Sequence, residues 1–502
     1  MGNSAVLAID EGTTGTRAAW VTSDGGVHGL EYRRLSVSSP RPGVVEQDAN
    51  EILDKTLDAC RAVLNRAADE GVDIQGIALA TQRSTAVLWD TVTGQALVPA
   101  MVWQDSRYAT ELAILGEEWN ERLVASVGRP AGVRSPYLWA AHHLRETREV
   151  EVAFRERRLG FGTVETWLLW SLTAERSYVA TTTNATSAGG YILRDHAYER
   201  DWIEALGFPS DLLPELRQDA DHLGHSDSSK LGISVPVLSA MGDQHAGTVG
   251  LGCLRPGQAM CVHGTGSFVD LVTGSNMPAR PGLYEGTLSL AAWRRHHETT
   301  YAVETFTATT GSALDWVCST LGWFDSPQRI SELAATVDGS NGVMFIPALT
   351  GLRMPVVEPN ARASLTGFSM SSTLPEIAYA ILEGIAHSVA SSVEANEAVS
   401  GISVTEIAVG GGMSASDPLI QMQADLTGIP MRRLNSCDTA SLRGAAFMGA
   451  ADGLLWSSLT EAVECLGPGD LFEPRLTAAE QLSRRDAWNS RIASELALVR
   501  DS

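Results

Sequence analysis

VLAIDEGTTGTRAAWV, residues 6–21, decides how the rest of the chain is read. An apolar run ends at Asp10 and a Gly/Thr turn follows. After Arg17 a second apolar run begins. Two apolar runs joined by a short Gly-rich connector predict a β-hairpin. Two readings fit the connector. One is a plain hairpin with a capping aspartate. The other is a phosphate site, in which the glycines let backbone N–H groups converge on an anion. In that reading Thr13 and Thr14 add hydroxyl donors and Arg17 supplies positive charge. Asp10 then suits Mg²⁺, which is usually held by one or two carboxylates together with substrate phosphates. The stretch alone leaves the two readings open.

The chain has 502 residues, too many for one ordinary core, so two domains are expected. Apolar residues make up 44% and charged residues 19%, as in soluble globular proteins. The net charge of -23 argues against nucleic acid, which is bound through cationic contacts to phosphates. The six cysteines form no CxxC pair and read as thiols of a reducing compartment. The opening MGNSAVLAIDEG has no basic segment, and its apolar run is too short for a signal peptide. No uncharged run is long enough to span a membrane. A cytoplasmic protein without a membrane partner is expected.

Outward from the opening hairpin, GVHGLEYRRLSV reads as a third strand. DANEILDKTLDACRAVLNRAADEG has helical spacing behind an Asp/Asn cap, and IQGIALAT reads as a buried strand. This order predicts an α/β fold whose sheet has an antiparallel edge. The second half repeats the plan. QAMCVHGTGSFVDLVTGS (258–275) is strand, Gly/Thr turn, strand; the helix 375–399 and the strand TEIAVGGG come later. The expected division is residues 1–250 and 251–502, with the boundary near 246–256.

Four further constellations could carry chemistry. HGTGSF, with Gly264, Thr265 and Gly266, is a second turn able to take a phosphate. AVGGGMSAS, with Gly411 and Gly412, permits close approach of a nucleotide. It also fits a looser dinucleotide fingerprint, with Arg432 and Arg433 placed for a 2′-phosphate, so an NADP-dependent oxidoreductase is a rival reading. VPVLSAMGDQHAG ends a buried strand at Asp243, where a loop carboxylate suits a general base or a metal ligand. ATQRST and MVWQDSR offer Gln82, Arg83, Ser84, Trp103, Gln104, Asp105 and Arg107. These suit a hydroxyl-rich ligand against a flat aromatic wall, and equally ion pairs beside a core tryptophan. His142, His143 and His387 read as structural.

AIDEGTTGTRAAWV, PGVVEQDANEI, MVWQDSR, GFGTVETWLLWSLT, TTTNATSAGGY, MGDQHAG, HGTGSF, NGVMFIPALTGL and AVGGGMSASDPLIQMQADLTGIP occur in the order found in the FGGY family of carbohydrate kinases. The chain resembles that family over nearly its whole length, most closely its glycerol kinase branch. The resemblance implies an α/β protein of two actin-like (RNase H-like) lobes, with an ATP/substrate cleft between them. It implies MgATP as phosphoryl donor, a small polyol or sugar as acceptor, and a homodimer or other homo-oligomer. By the same resemblance Asp10 is the Mg²⁺-site aspartate. Thr13, Thr14 and Arg17 form the first phosphate turn, and Gly264, Thr265 and Gly266 form the second. Gly311, Gly411 and Gly412 lie near the nucleotide. Asp243 is the catalytic base and a second metal contact, with Gln244 its substrate-contacting neighbour. Arg83, Trp103, Tyr137 and Phe268 match the polyol pocket. Ser84 departs from the pattern, since glycerol kinases carry Glu there. Losing that carboxylate weakens a partner for a substrate hydroxyl, so a C4–C5 sugar alcohol or ketose is the alternative acceptor.

Overall fold

The computed structural model describes residues 4–500, so part of the opening segment read for targeting lies outside the described residues. The expected hairpin is present. Strand β1 (Ser4–Glu11) runs antiparallel to β2 (Gly15–Thr22), which pairs with β3 (Val27–Arg34). After a two-residue strand β4 (Glu46–Gln47), helix α1 (Ala49–Asp69) starts at the Asp48 cap, whose carboxylate accepts the Asn50 N–H at 2.9 Å. Strand β5 (Asp73–Thr81) then returns parallel to β1. A later strand, Val237–Gly242, adds parallel to β5 on its far side. The five-stranded order is therefore Val237–Gly242, β5, β1, β2, β3, with the antiparallel pairs at one edge. β1 is buried from Ala5 to Glu11, as a central strand covered on both faces must be. Ile52, Cys60 and Val63 of α1 share a core with Leu7 and Ile9 of β1.

The other covering helix, Ala440–Ala450, comes from far along the chain. The chain accordingly divides into two compact units at more than one point. The first comprises residues up to Gly252, Ser289–Tyr301 and Thr439–Cys465; the second comprises Cys253–Leu288, Ala302–Asp438 and the segment from Leu466 onward. The sheet of the first unit takes one of its covers from residues 440–450. That cover is close-fitting. A Cβ at Gly444 would collide with the Ala246 carbonyl, and one at Gly250 with the Ala440 carbonyl.

In the second unit, Gln258–His263 and Ser267–Gly274 form the second hairpin. Glu406–Gly410 pairs parallel to Gln258–His263, and Met431–Arg433 pairs parallel to Glu406–Gly410. The helix Leu374–Ser400 opens on a Thr373/Glu376 capping box and packs on Asp417–Thr427. Each unit thus carries a hairpin whose first strand pairs parallel with a later strand, the plan read from the sequence.

Gly444→Ala is expected to destabilise the first unit by about 2 kcal/mol or more, since the added methyl meets backbone and not a movable side chain. Thermal unfolding checks this; an unchanged melting temperature would contradict the packing described.

Candidate active site

Register brings the first group of residues together. Asp10 lies opposite Ala80, Glu11 opposite Thr81, and Gly242 also opposite Thr81. The C-terminal ends of three parallel strands therefore deliver Asp10, Gln82 and Asp243 to one edge, where ligands of α/β sheets bind. Asp10 is buried and pairs with Arg17 Nη2 at 2.8 Å. Burial raises its carboxyl above the usual range, and the Arg17 guanidinium opposes that shift.

The turn beside it is braced. Gly12 N donates to the Gly15 carbonyl at 3.1 Å. The Thr14 carbonyl accepts from Leu35 N and from the Tyr32 hydroxyl, each at 3.0 Å. The Thr13 carbonyl accepts from Gln47 Nε2 at 2.7 Å, and Thr13 Oγ1 accepts from Trp103 Nε1 at 2.8 Å. The carbonyls at the tip are thus held by the protein.

Asp243 is not a loop residue. It is the first residue of a helix, Asp243–Gly250, that follows its strand without a connector, and the buried His245 lies inside that helix. Asp243 Oδ1 accepts the Gln244 N–H at 2.8 Å, and Arg83 Nε stands 3.5 Å from the same oxygen. Gln244 Oε1 is buried and finds no hydrogen-bond partner among the described residues. Such an orphaned acceptor is costly unless something else fills it.

Beneath Asp243 the strand end is pinned by buried carboxylates. Thr183 Oγ1 accepts the Gly242 N–H at 2.9 Å and donates to Asp219 Oδ1 at 2.7 Å, while Asp219 Oδ2 accepts the Arg294 N–H at 2.7 Å. The Thr181 hydroxyl donates to the Ala240 carbonyl at 2.9 Å and lies against Glu165 Oε1, which accepts the Thr181 N–H at 2.9 Å. Burial pushes Glu165 up to about 8 and Asp219 up to about 6. Glu11, buried beside Asp10, is likewise pushed up to about 8. Neither Asp219 nor Glu165 carries a local sequence signal for this role. Their partners lie tens of residues away and meet them only through the fold.

The residues expected to meet a polyol divide by position. Ser84 is buried with φ +62°, and its hydroxyl donates to the Ser187 carbonyl at 2.7 Å. Arg129 Nη1 donates to the same carbonyl at 2.9 Å. Trp103 is half-buried, with the Arg134 guanidinium 5.7 Å from its ring centroid. Tyr137 opens a helix, Pro136–Glu146, and is buried between Phe161 and Phe208, where it lines a cavity of about 20 Å³ with Thr163 and Asn184. The half-buried Arg107 pairs with the buried Asp105 at 2.7 Å, and Asp105 also accepts the Val45 N–H at 2.7 Å, which is a structural role. His142 bridges Glu111 and Glu146. His387 stacks on Trp488 at 4.7 Å.

In the second unit the glycines come together. Gly264 N donates to the Gly266 carbonyl at 2.8 Å, and Gly311 N donates to the Gly264 carbonyl at 3.1 Å. The Thr265 carbonyl accepts from Thr310 N at 3.0 Å and Ser312 N at 3.1 Å. At Gly411, with φ +82°, a Cβ would collide with the His263 carbonyl, while nothing lies close to Gly412. Only glycine fits Gly411, in space and in backbone conformation. Phe268 is half-buried against Phe306, ring centroids 4.5 Å apart. Arg432 pairs with Glu406 at 2.8 Å, and Arg433 with Asp417 at 2.7 Å and Asp470 at 2.8 Å. Carboxylates thus already engage the two cations that an NADP reading would need.

The chain matches the model of the FGGY family of carbohydrate kinases, N-terminal domain, over residues 5–250, and that of its C-terminal domain over residues 259–452. It is 31% identical to a glycerol kinase of Deinococcus radiodurans over 97% of each chain. It is 34% identical to a glycerol kinase of Trichlorobacter lovleyi, again over 97% of each. Its fold is similar to that of a Plasmodium falciparum glycerol kinase with ADP, with TM-score 0.92, 22% identity and 99% of each chain covered. A xylulose kinase from Rhodospirillum rubrum shares the fold at TM-score 0.86 and 21% identity, over 99% of this chain and 100% of the other. Among the described residues no helix is long and apolar enough to cross a membrane.

Glu165 gives a pH test of the buried floor. Its folded value of about 8 lies above the ordinary 4.5, so between those values the folded chain holds a proton that the unfolded chain has lost. That contribution is fully present below pH 4.5 and is lost as pH rises through about 8. Glu165→Gln removes the dependence, so the melting temperature of the variant should gain on that of the parent as pH rises through this window. A constant difference would contradict the assignment.

Proposed function

Because this chain belongs to the FGGY family of carbohydrate kinases, we propose that it transfers the γ-phosphoryl group of ATP to a terminal hydroxyl of glycerol. The observation that supports this acceptor chemistry is the convergence of Asp10 and Asp243 at one sheet edge, with the unfilled Gln244 Oε1 beside Asp243. Phosphoryl transfer passes through a loose transition state, so positioning and charge neutralisation supply most of the acceleration.

In this reading Asp243 orients the acceptor hydroxyl and accepts its proton on the carboxylate as the new P–O bond forms. Arg83, 3.5 Å from Asp243, orients that carboxylate and contacts the acceptor. Gln244 takes a substrate hydroxyl on its open oxygen. Trp103, Tyr137 and Phe268 supply apolar walls for the carbon chain. Thr13, Thr14 and Arg17 bind phosphate oxygens, as does the Gly264–Gly266 turn. Gly311, Gly411 and Gly412 let the nucleotide approach backbone.

The donor set fits Mg²⁺: Asp10 is a buried carboxylate next to a phosphate turn, and Asp243 offers a second carboxylate at the same edge. When bound, Mg²⁺ neutralises charge on the transferring phosphates. The further expectations are a cytoplasmic enzyme, acting as a homodimer or other homo-oligomer on a small molecule.

Ser84 favours a second acceptor. Its side chain is short and its hydroxyl is committed to the Ser187 carbonyl, so it offers glycerol no carboxylate. A C4–C5 sugar alcohol or ketose fits that change.

A coupled ADP-release screen across C3 to C5 polyols and ketoses tests both readings. Ser84→Glu is expected to lower KM for glycerol about tenfold, as a restored hydrogen-bond partner for a hydroxyl would. Glycerol outperformed by a C4–C5 acceptor would select the second reading, and no acceptor-dependent ADP release would overturn both.

A further inference from the structure

A closed circuit of hydrogen bonds links residues assigned above to different substrates. Trp103 N donates to Thr85 Oγ1 at 3.2 Å, and Thr85 Oγ1 donates to Gln82 Oε1 at 2.9 Å. Gln82 Nε2 donates to Gln47 Oε1 at 3.0 Å, and Gln47 Nε2 donates to the Thr13 carbonyl at 2.7 Å. Trp103 Nε1 closes the circuit on Thr13 Oγ1 at 2.8 Å. Gln47, Gln82 and Thr85 are all buried.

The circuit has one self-consistent direction. Each glutamine offers its oxygen to one neighbour and its nitrogen to the next, so rotating either amide sets like against like. The backbone of these segments is tied by Val102 N to the Val45 carbonyl at 3.0 Å, by Val45 N to Asp105 at 2.7 Å and by the Arg107–Glu46 ion pair at 2.8 Å. β4, which carries Gln47, and the strand Ala100–Met101, which leads to Trp103, are two residues long; they pair with each other, and Glu46 also bridges Ser38 while Met101 pairs with Ala86. Those ties hold the backbone, while the side-chain circuit is what joins Trp103 to the turn at Thr13.

We propose that Gln47, Gln82 and Thr85 are positioning residues that couple acceptor binding at Trp103 to the phosphate turn at Thr13. An acceptor packed on the Trp103 ring orders the indole, and the circuit transmits that order to both polar atoms of Thr13. Coupling of this kind is reciprocal, so bound ATP tightens the acceptor site by the same factor. This inference rests on the reading of Thr13 and Trp103 given above.

The test is an initial-rate grid of ATP against glycerol, or against the polyol preferred in the screen, on the full chain with melting temperatures alongside. The parent enzyme is expected to show an ATP KM that falls as acceptor rises. Thr85→Val keeps the shape of the side chain and breaks two bonds of the circuit; it should abolish that dependence and lower kcat about tenfold. Thr85→Ser restores the hydroxyl and should stay within about twofold of the parent in both respects. Gln47→Asn, too short to reach both partners, should repeat the loss and serves if Thr85→Val does not fold. An ATP KM independent of acceptor in the parent, or a dependence that survives in Thr85→Val, overturns the proposal. Thr13→Ala and Trp103→Ala separate the levels. If both behave as the parent, the site assignment itself fails. If both are impaired while Thr85→Val is not, only the coupling fails.

Discussion

Parallel pairing of three strands is the constraint on which the site of the first unit depends. β1, β5 and Val237–Gly242 end level with one another, with Glu11 and Gly242 both opposite Thr81. Asp10, Gln82 and Asp243 come from three distant parts of the chain, and only this register makes them neighbours. A slip of one residue would turn every side chain to the other face of the sheet. The strand ends would also shift by about 3.3 Å, so Asp10, Gln82 and Asp243 would no longer stand level.

The register is held by more than the ladder. Buried carboxylates beneath the edge accept hydrogen bonds from the backbone and hydroxyls around Asp243, as Asp219 does through Thr183 to Gly242. Leaving one such buried donor unsatisfied costs about 1–3 kcal/mol, so the arrangement is specific as well as stabilising. Burial raises Glu11, Glu165 and Asp219 alike, and desolvation is the leading cause in each case. Glu11 and Glu165, raised to about 8, are held as neutral acids at pH 7, whereas Asp219, raised to about 6, is not.

Much of this was legible in the sequence, for identifiable reasons. The hairpin at Gly12–Gly15 was readable because glycine and threonine between apolar runs have few other uses, and the strand ending at Asp243 because its apolar run stops abruptly. Asp243 was misread as a loop residue, since nothing local marks a helix that starts on the residue after a strand. The cover by Ala440–Ala450 was not legible: its glycine contact with Gly250 pairs residues nearly two hundred positions apart. Asp105 and Arg107 read equally as ligand contacts and as an ion pair, because the two share one composition, and only the fold shows the pair. Gln47 and Gln82 gave no signal as a pair, because a hydrogen-bond circuit has no sequence spacing of its own.

Phosphoryl transfer to an alcohol is the reaction proposed for Asp10, Asp243 and the Gly/Thr turns. Phosphorus NMR of the protein with MgATP and the preferred acceptor tests it most directly. ADP and a phosphate monoester of a primary hydroxyl are expected in equal amounts, with the ester lost in Asp243→Asn at retained fold. Release of ADP with inorganic phosphate and no ester, or an Asp243→Asn variant as active as the parent, would contradict it.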